Sequence, residues 1–148
     1  MTIRVGLIGF GLIGKRYYKH LKEDKSFKIV KILKKNKQKN KIFTINKLDF
    51  FKIQYDLIII AAPTERHYDL IKHSSKKNCH LIVEKPLIKK ESELRLLNEK
   101  ILKNFKKKFI VHNSELNNLK YINLKKKLIS KKIKKIKFNY HQKSVFMG

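Results

Sequence analysis

The chain has 148 residues, enough for one domain with a substantial hydrophobic core and part of a second. It carries 38 basic and 11 acidic residues, a formal net charge of +27, and one cysteine, Cys79. A single cysteine excludes an internal disulfide framework, and the uninterrupted apolar runs are too short to cross a bilayer. We therefore expect a soluble, cytoplasmic, globular protein with no membrane partner.

The charge raises the question of nucleic-acid binding. Only four of the 38 basic residues are arginines, the type preferred for bidentate contacts to phosphates and bases. The lysines are spread along the whole chain together with many isoleucines and asparagines, which is typical of a compositional bias on solvent-exposed faces. We expect salt-sensitive attraction to polyanions but no specific nucleic-acid partner.

The first predicted elements are a strand and a helix joined by glycines. Ile3–Ile8 is a β-branched run typical of a buried strand, and an amphipathic helical pattern later continues through Leu21. Between them stands Gly9-Phe10-Gly11-Leu12-Ile13-Gly14. The first glycine permits a tight turn, the second lets the backbone approach a pyrophosphate, and the third lets helix and strand pack closely. This arrangement predicts a dinucleotide whose pyrophosphate lies on the free N–H groups of the helix N-terminus.

Phe27–Leu33 is the second predicted strand, and Lys34 and Lys35 follow it directly. In dinucleotide-binding folds an acidic residue at this place accepts hydrogen bonds from the adenosine ribose hydroxyls of NAD. A lysine pair suits the 2′-phosphate of NADP instead, so NADP is slightly favoured over NAD as the cofactor. The alternative, equally compatible with a lysine-rich chain, is that both lysines are ordinary surface residues.

A short third strand over Lys41–Thr44 and a short helix over Asn46–Lys52, capped by Asn46, are predicted next. The run from Asp56 to Pro63 contains six consecutive apolar residues, typical of a strand buried on both faces of a parallel sheet. Ligands of open α/β sheets lie beyond the carboxyl ends of the strands. Ala62-Pro63-Thr64 is therefore expected to face the same crevice as the glycines.

Thr64 is expected to cap a helix that begins near Glu65. His67 lies one turn into this helix, where a histidine is more often a packing residue than a catalyst. The fifth strand is predicted over Cys79–Val83, with Cys79 as a packing residue because no cationic environment surrounds it.

Glu84-Lys85-Pro86 follows the fifth strand. An ionisable pair at the carboxyl end of a strand, before a rigid proline, suits a functional site. Lys85 could orient a nicotinamide or donate a hydrogen bond to a substrate oxygen. The alternative is a salt bridge within a loop.

The remaining pattern predicts an amphipathic helix over Glu91–Phe105, a sixth strand over Lys108–Val111 and a helix over Leu116–Ile129. Ile133–Tyr140 alternates in period two, as a half-exposed antiparallel strand does. The fold class expected is α/β, a doubly wound parallel sheet followed by the start of a different sheet. No histidine, cysteine or acidic cluster has metal-ligand spacing, so no metal is expected.

Three motifs now stand at characteristic intervals: G-F-G-L-I-G after the first strand, A-A-P-T-E-R-H-Y after the fourth and E-K-P-L after the fifth. With this combination the chain resembles the Gfo/Idh/MocA family of oxidoreductases. The resemblance implies a Rossmann domain over residues 1–113 that binds NAD or NADP. Residues 114–148 would begin a second α/β domain with a mostly antiparallel sheet, which carries the substrate pocket and the oligomer interface.

Motifs and resemblance together give the set of residues expected at the dinucleotide. The glycines and the backbone after them would hold the pyrophosphate, and the later segments would lie at the ribose and nicotinamide. The set is Gly9, Phe10, Gly11, Leu12, Ile13, Gly14, Lys34, Lys35, Ala62, Pro63, Thr64, His67, Glu84 and Lys85.

The activity implied by the resemblance is hydride transfer between nicotinamide and a sugar, polyol or nucleotide-sugar-like substrate, with Lys85 as the catalytic residue. Three departures from the family stand out: Lys34 replaces the usual acidic residue, Ser114-Glu115-Leu116-Asn117-Asn118 replaces an Arg-Phe-x-Pro-like segment, and the Asp-x-x-x-His pair of the second domain is absent. We therefore expect weak or no activity from this chain alone. The alternative is a non-catalytic dinucleotide-binding remnant, or a subunit completed by a separate partner chain. The partners expected are the dinucleotide, a small sugar-like substrate once the chain is completed, and either a second copy of the chain or a complementing second-half chain.

Overall fold

Strands and helices alternate along the chain. The structure, a computed structural model, describes residues 2–36 and 40–112. The strands are β1 Ile3–Ile8, β2 Phe27–Leu33, β3 Phe43–Thr44, β4 Leu57–Ile60, β5 His80–Glu84 and β6 Phe109–His112. The helices are α1 Leu12–Glu23, α2 Lys47–Lys52, α3 His67–Ser74 and α4 Glu91–Lys100, and none in the described part is long and apolar enough to span a membrane. The helix and strand predicted after residue 113 lie outside the described residues.

The six strands form one parallel sheet in the order β3-β2-β1-β4-β5-β6. At the carboxyl edge Ile8 pairs with Leu33 of β2 on one side and with Ile60 of β4 on the other. The order of strand addition reverses between β1 and β4, and such a switch point opens a crevice outside the carboxyl ends of the strands. The predicted doubly wound parallel sheet is confirmed.

Helices cover both faces of this sheet, which explains the uninterrupted apolar runs. In β4, Ile58 and Ile60 belong to the buried cluster that contains residues of α2, α3 and α4. Ile59 belongs to the cluster on the opposite face, with Leu21 of α1. A strand with two buried faces needs apolar side chains at every position, and each fully buried isoleucine contributes roughly 1.5–3 kcal/mol to stability.

Helix α4 ends earlier than the predicted Glu91–Phe105. The helix ends at Lys100, with Ile101 as its C-cap residue, and a 3₁₀ turn follows at Leu102–Asn104. This turn brings the Phe105 ring edge-on to that of Phe109 in β6, with ring centroids 6.3 Å apart. Packing against the neighbouring strand therefore ends the helix, although its apolar periodicity continues.

The cap predicted at Thr64 is wrong. Thr64 opens a 3₁₀ turn, Thr64–Arg66, that no side chain caps, and α3 begins only at His67. The tighter turn lets the His67 ring reach the carbonyl of Ala62. The cap predicted at Asn46 is confirmed, because its side chain accepts a hydrogen bond from the N–H of Leu48 at 2.8 Å.

Cys79 lies in the core directly before β5, with 1% of its surface exposed. Burial raises the pKa of its thiol to about 11. Because the thiolate is the reactive form, we predict that Cys79 reacts with an aromatic disulfide reagent at pH 8 about 100-fold more slowly in native protein than in urea. Absorbance of the released thiol measures both rates, and equal rates would contradict the buried position.

Candidate functional site

Gly9 makes the turn between β1 and α1 possible. Its φ is +97°, a region that side-chain-bearing residues rarely adopt. Its N–H donates to the carbonyl of Leu33 at 2.8 Å, and a Cβ on Gly9 would lie 2.2 Å from the carbonyl oxygen of Ala61. The turn therefore rests directly on the backbone at the ends of β2 and β4.

The other two glycines of the motif differ in what surrounds them. A Cβ on Gly14 would lie 2.2 Å from the carbonyl oxygen of Gly9, so α1 touches the turn there. A Cβ on Gly11 would meet no heavy atom within 4 Å. Gly9 and Gly14 are thus needed for close backbone contacts inside the loop, whereas the space beside Gly11 is open to a ligand.

The N-terminus of α1 opens beside this loop. Gly11 is the N-cap residue and offers no capping side chain, and the first turn contains no acidic residue. The first N–H groups of a helix lack intrahelical acceptors, and the aligned peptide dipoles favour an anion at this end. An uncapped start of a helix of this length, next to an open loop, suits a pyrophosphate.

Loop, helix and strand ends enclose a crevice of about 720 Å³. Among the described residues, its lining contains three cationic side chains, Lys34, Lys35 and Arg66, and no carboxylate. A site with this charge balance attracts a ligand that carries several phosphates. The lining residues are Ile8, Gly9, Phe10, Gly11, Leu12, Ile13, Leu33, Lys34, Lys35, Asn36, Ala61, Ala62, Pro63 and Arg66.

An aromatic pair holds Lys34 at the rim of the crevice. Its Nζ lies 5.7 Å from the ring centroid of Phe10 and 5.2 Å from that of Phe43, and the two rings pack edge-on with centroids 5.0 Å apart. The Lys34 N–H donates to the carbonyl of Thr44 at 3.0 Å. The ammonium group therefore lies over ring faces, which attract cations.

Some of the predicted residues do not line the crevice. Gly14, Thr64, His67, Glu84 and Lys85 are not among the residues that line the crevice. Arg66 does line the crevice, although it is not among the residues predicted to bind the dinucleotide. Its sequence signals are its place two residues after the segment predicted to face the crevice and its position within the A-A-P-T-E-R-H-Y motif.

His67 is buried, with 1% of its surface exposed. Its Nε2 lies 2.8 Å from the carbonyl oxygen of Ala62, and its Nδ1 lies 3.0 Å from the carbonyl oxygen of Leu87. The ring thereby joins the loop after β4 to the loop after β5. This geometry favours the packing role over direct contact with a cofactor.

We predict that His67→Phe lowers the free energy of unfolding by about 2 kcal/mol, because it removes the ring N–H that donates to a part-buried carbonyl group. Urea unfolding monitored by circular dichroism measures the change. The matched control is His73→Phe on the same helix, at an exposed ring stacked on Phe51, which should cost less than about 0.5 kcal/mol. Equal losses in the two variants would contradict the bridging role.

Glu84 lies in a hydrogen-bonded cluster with Tyr17 and His112. The Tyr17 hydroxyl donates to Glu84 Oε1 at 2.6 Å, and His112 Nδ1 lies 2.6 Å from the same oxygen. The Tyr17 oxygen lies 2.8 Å from His112 Nδ1. Burial, followed by the hydrogen bond to Glu84 and its charge, raises the pKa of Tyr17 well above its ordinary value, so the hydroxyl keeps its proton.

Lys85 follows Glu84 at the carboxyl end of β5 and is exposed. It therefore belongs to the same edge of the sheet as the crevice, one strand further along. Within the described ranges no three histidine, cysteine or acidic side chains come together to hold a metal ion.

Comparisons with solved structures agree with this geometry. Myo-inositol 2-dehydrogenase from Lactobacillus plantarum superposes with a TM-score of 0.79 at 24% identity, over 92% of this chain and 43% of that one. Scyllo-inositol dehydrogenase from Lactobacillus casei gives 0.76 at 18% identity, over 88% and 42%. Biliverdin reductase from Synechocystis sp. PCC 6803, solved with biliverdin and NADP+, gives 0.71 at 18% identity, over 85% and 42%.

The chain thus spans less than half the length of these similar proteins. No curated protein matches its sequence. The profile of the Gfo/Idh/MocA oxidoreductase family, described as an NAD-binding Rossmann fold, matches residues 3–110. With that match over most of its length, on a parallel sheet whose glycine turn and helix N-terminus suit a dinucleotide, the chain belongs to the Gfo/Idh/MocA oxidoreductase family.

Proposed function

We propose that this chain binds NADP(H) in preference to NAD(H), as the cofactor-binding part of an oxidoreductase that acts on a sugar or polyol. The observation that carries the proposal is the crevice, where an open glycine turn, an uncapped helix N-terminus and three cationic side chains meet. When bound, the nicotinamide would supply hydride chemistry, and the protein's task would be to hold and orient it.

Backbone N–H groups at the start of α1 would bind the pyrophosphate of the cofactor. The helix start has no capping side chain and the space beside Gly11 is open, so the first N–H groups of α1 would donate to phosphate oxygens there. Residues Leu12 and Ile13, which follow Gly11 in the crevice lining, would provide these donors. Charge-assisted hydrogen bonds of this kind are the strong ones in proteins.

The preference for NADP rests on side-chain charge. Lys34 and Lys35 come directly after β2, the place where the adenosine ribose of a dinucleotide lies in this fold class. In the part of the lining that the structure describes, no carboxylate is available to accept hydrogen bonds from the ribose hydroxyls of NAD. Two lysines and the guanidinium of Arg66 line it instead, and these cations suit an additional phosphate.

The catalytic step is assigned to Lys85. Its ammonium group would donate a hydrogen bond to the oxygen on the reacting carbon of the substrate. Inositols are the first substrates to test, because two of the similar structures are inositol dehydrogenases.

Calorimetric titration with NADPH and NADH, at low and moderate salt, tests the cofactor preference. We expect saturable binding that persists at moderate salt, with NADPH the tighter ligand. Lys35→Gln should weaken NADPH binding about tenfold and NADH binding much less, because a hydrogen bond to a charged group is worth roughly 1.5–3 kcal/mol. Lys22→Gln, which removes the same charge from the last turn of α1, is the matched control.

Equal affinity for both cofactors in the unmodified protein, or an equal effect of the two lysine variants, would overturn the NADP preference. Binding that disappears at moderate salt would reduce the interaction to the general attraction between a polycation and phosphates. Reduction of NADP+ in the presence of inositols and sugars tests the hydride transfer. Because this chain spans less than half the length of the similar dehydrogenases, we expect weak or no turnover from it alone, and robust turnover would overturn that expectation.

A further inference from the structure

The cluster of Tyr17, Glu84 and His112 is not explained by the proposed function. It joins three elements, because Tyr17 lies on α1, Glu84 ends β5 and His112 ends β6. Glu84 and His112 are paired in the register of the two strands, which brings their side chains to the same edge. Tyr17 reaches them from the helix, and its ring packs edge-on to that of His112 with centroids 5.6 Å apart.

The protons of the cluster can be assigned from the distances. Glu84 Oε1 lies 2.6 Å from both the Tyr17 oxygen and His112 Nδ1, and a carboxylate only accepts. The Tyr17 hydroxyl and an N–H at His112 Nδ1 therefore both donate to it. With 13% of its side chain exposed, Glu84 is largely removed from water, so these two donors fix its orientation.

We infer that Tyr17 and His112 are positioning residues that hold Glu84, and with it the adjoining Lys85, at a fixed distance from the helix that receives the pyrophosphate. Helix α1 carries both Tyr17 and the start of the crevice. The cluster therefore connects the end of the site that binds phosphate with the end that is proposed to meet the nicotinamide. This inference rests on the proposed function and assigns to Glu84 an anchoring task instead of direct contact with the ribose.

The connection has a measurable consequence for ligands of different length. ADP shares the adenosine and the pyrophosphate with NADH but ends before the nicotinamide ribose. Loosening the cluster should leave the helix N-terminus in place and free the Lys85 segment. A cluster variant should therefore weaken the dinucleotide and spare ADP.

The test is titration of ADP and NADH into Tyr17→Phe, which removes the donor and keeps the ring. We expect the dissociation constant of NADH to rise about tenfold and that of ADP to change less than about twofold. Tyr55→Phe is the matched control, since it removes a buried hydroxyl that donates to the Phe50 carbonyl in the core. That variant should leave the ratio of the two constants unchanged.

Two variants at His112 provide a rescue experiment. His112→Leu removes the donor and should reproduce the selective loss of NADH affinity. His112→Asn places an amide N–H near the position of Nδ1 and should restore most of it. A general loss of packing would affect both variants alike.

The outcomes distinguish failure of the proposed function from failure of this inference alone. If the unmodified protein binds none of ADP, NADH and NADPH, the proposed function and this inference fall together. If it binds both ADP and NADH, and Tyr17→Phe weakens them equally or not at all, the inference alone is overturned.

Discussion

Replacing Gly11 with valine should abolish dinucleotide binding and leave the fold intact. A Cβ at this position meets no protein atom within 4 Å, and Gly11 has φ of −75°, which any residue adopts. The added methyl groups would occupy the space through which phosphate oxygens reach the first N–H groups of α1. Loss of several charge-assisted hydrogen bonds should raise the dissociation constant for NADPH about 100-fold or more.

Calorimetry measures the affinity, and urea unfolding measures the stability of the same preparation. Valine is a poorer N-cap residue than glycine, so a loss of about 1 kcal/mol is expected from the helix end alone. Gly11→Ala provides the intermediate size, with a partial loss of affinity. Unchanged NADPH affinity in Gly11→Val would contradict the assignment of the pyrophosphate to this loop.

The largest effect on stability is expected at Gly9 and Gly14. An alanine Cβ would lie 2.2 Å from a backbone carbonyl oxygen at either position, that of Ala61 for Gly9 and that of Gly9 for Gly14. Backbone atoms cannot rotate away as a side chain does, so the turn itself would have to open. Alanine at position 9 would also have to adopt a φ of +97°.

We predict that Gly9→Ala and Gly14→Ala each lower the free energy of unfolding by more than about 3 kcal/mol. The midpoint of urea unfolding gives the value, with Gly11→Ala as the control that adds the same methyl group to open space. Losses below about 1 kcal/mol in either variant would show that the backbone contacts can relax. Any loss of NADPH binding in these two variants would follow from the loss of the loop.

Local patterns in the sequence were sufficient to predict the sheet. β1 and β2 begin and end at the predicted residues, Ile3–Ile8 and Phe27–Leu33. A strand buried on both faces needs an apolar run, and a tight strand-to-helix turn needs glycine, so both leave a signal in consecutive residues. The extent of the first domain, predicted as 1–113, and the second domain after it stay predictions.

Contacts between residues far apart in the chain cannot be predicted from the neighbouring sequence in this way. Tyr17 meets Glu84 and His112 from 67 and 95 positions away, and nothing in its neighbours along the chain indicates this. The end of α4 at Lys100 follows from the packing of Phe105 on a later strand.

At His67 the local sequence and the tertiary contacts indicate different roles. Its place in the motif suggested a position beside the cofactor, while its two ring nitrogens lie within hydrogen-bond distance of the carbonyls of Ala62 and Leu87 in two different loops. The order of residues specifies which elements form, because propensity, apolar period and turn chemistry act over a few positions. Which polar side chains meet depends on strand order and register, since these bring together atoms that the chain itself keeps far apart.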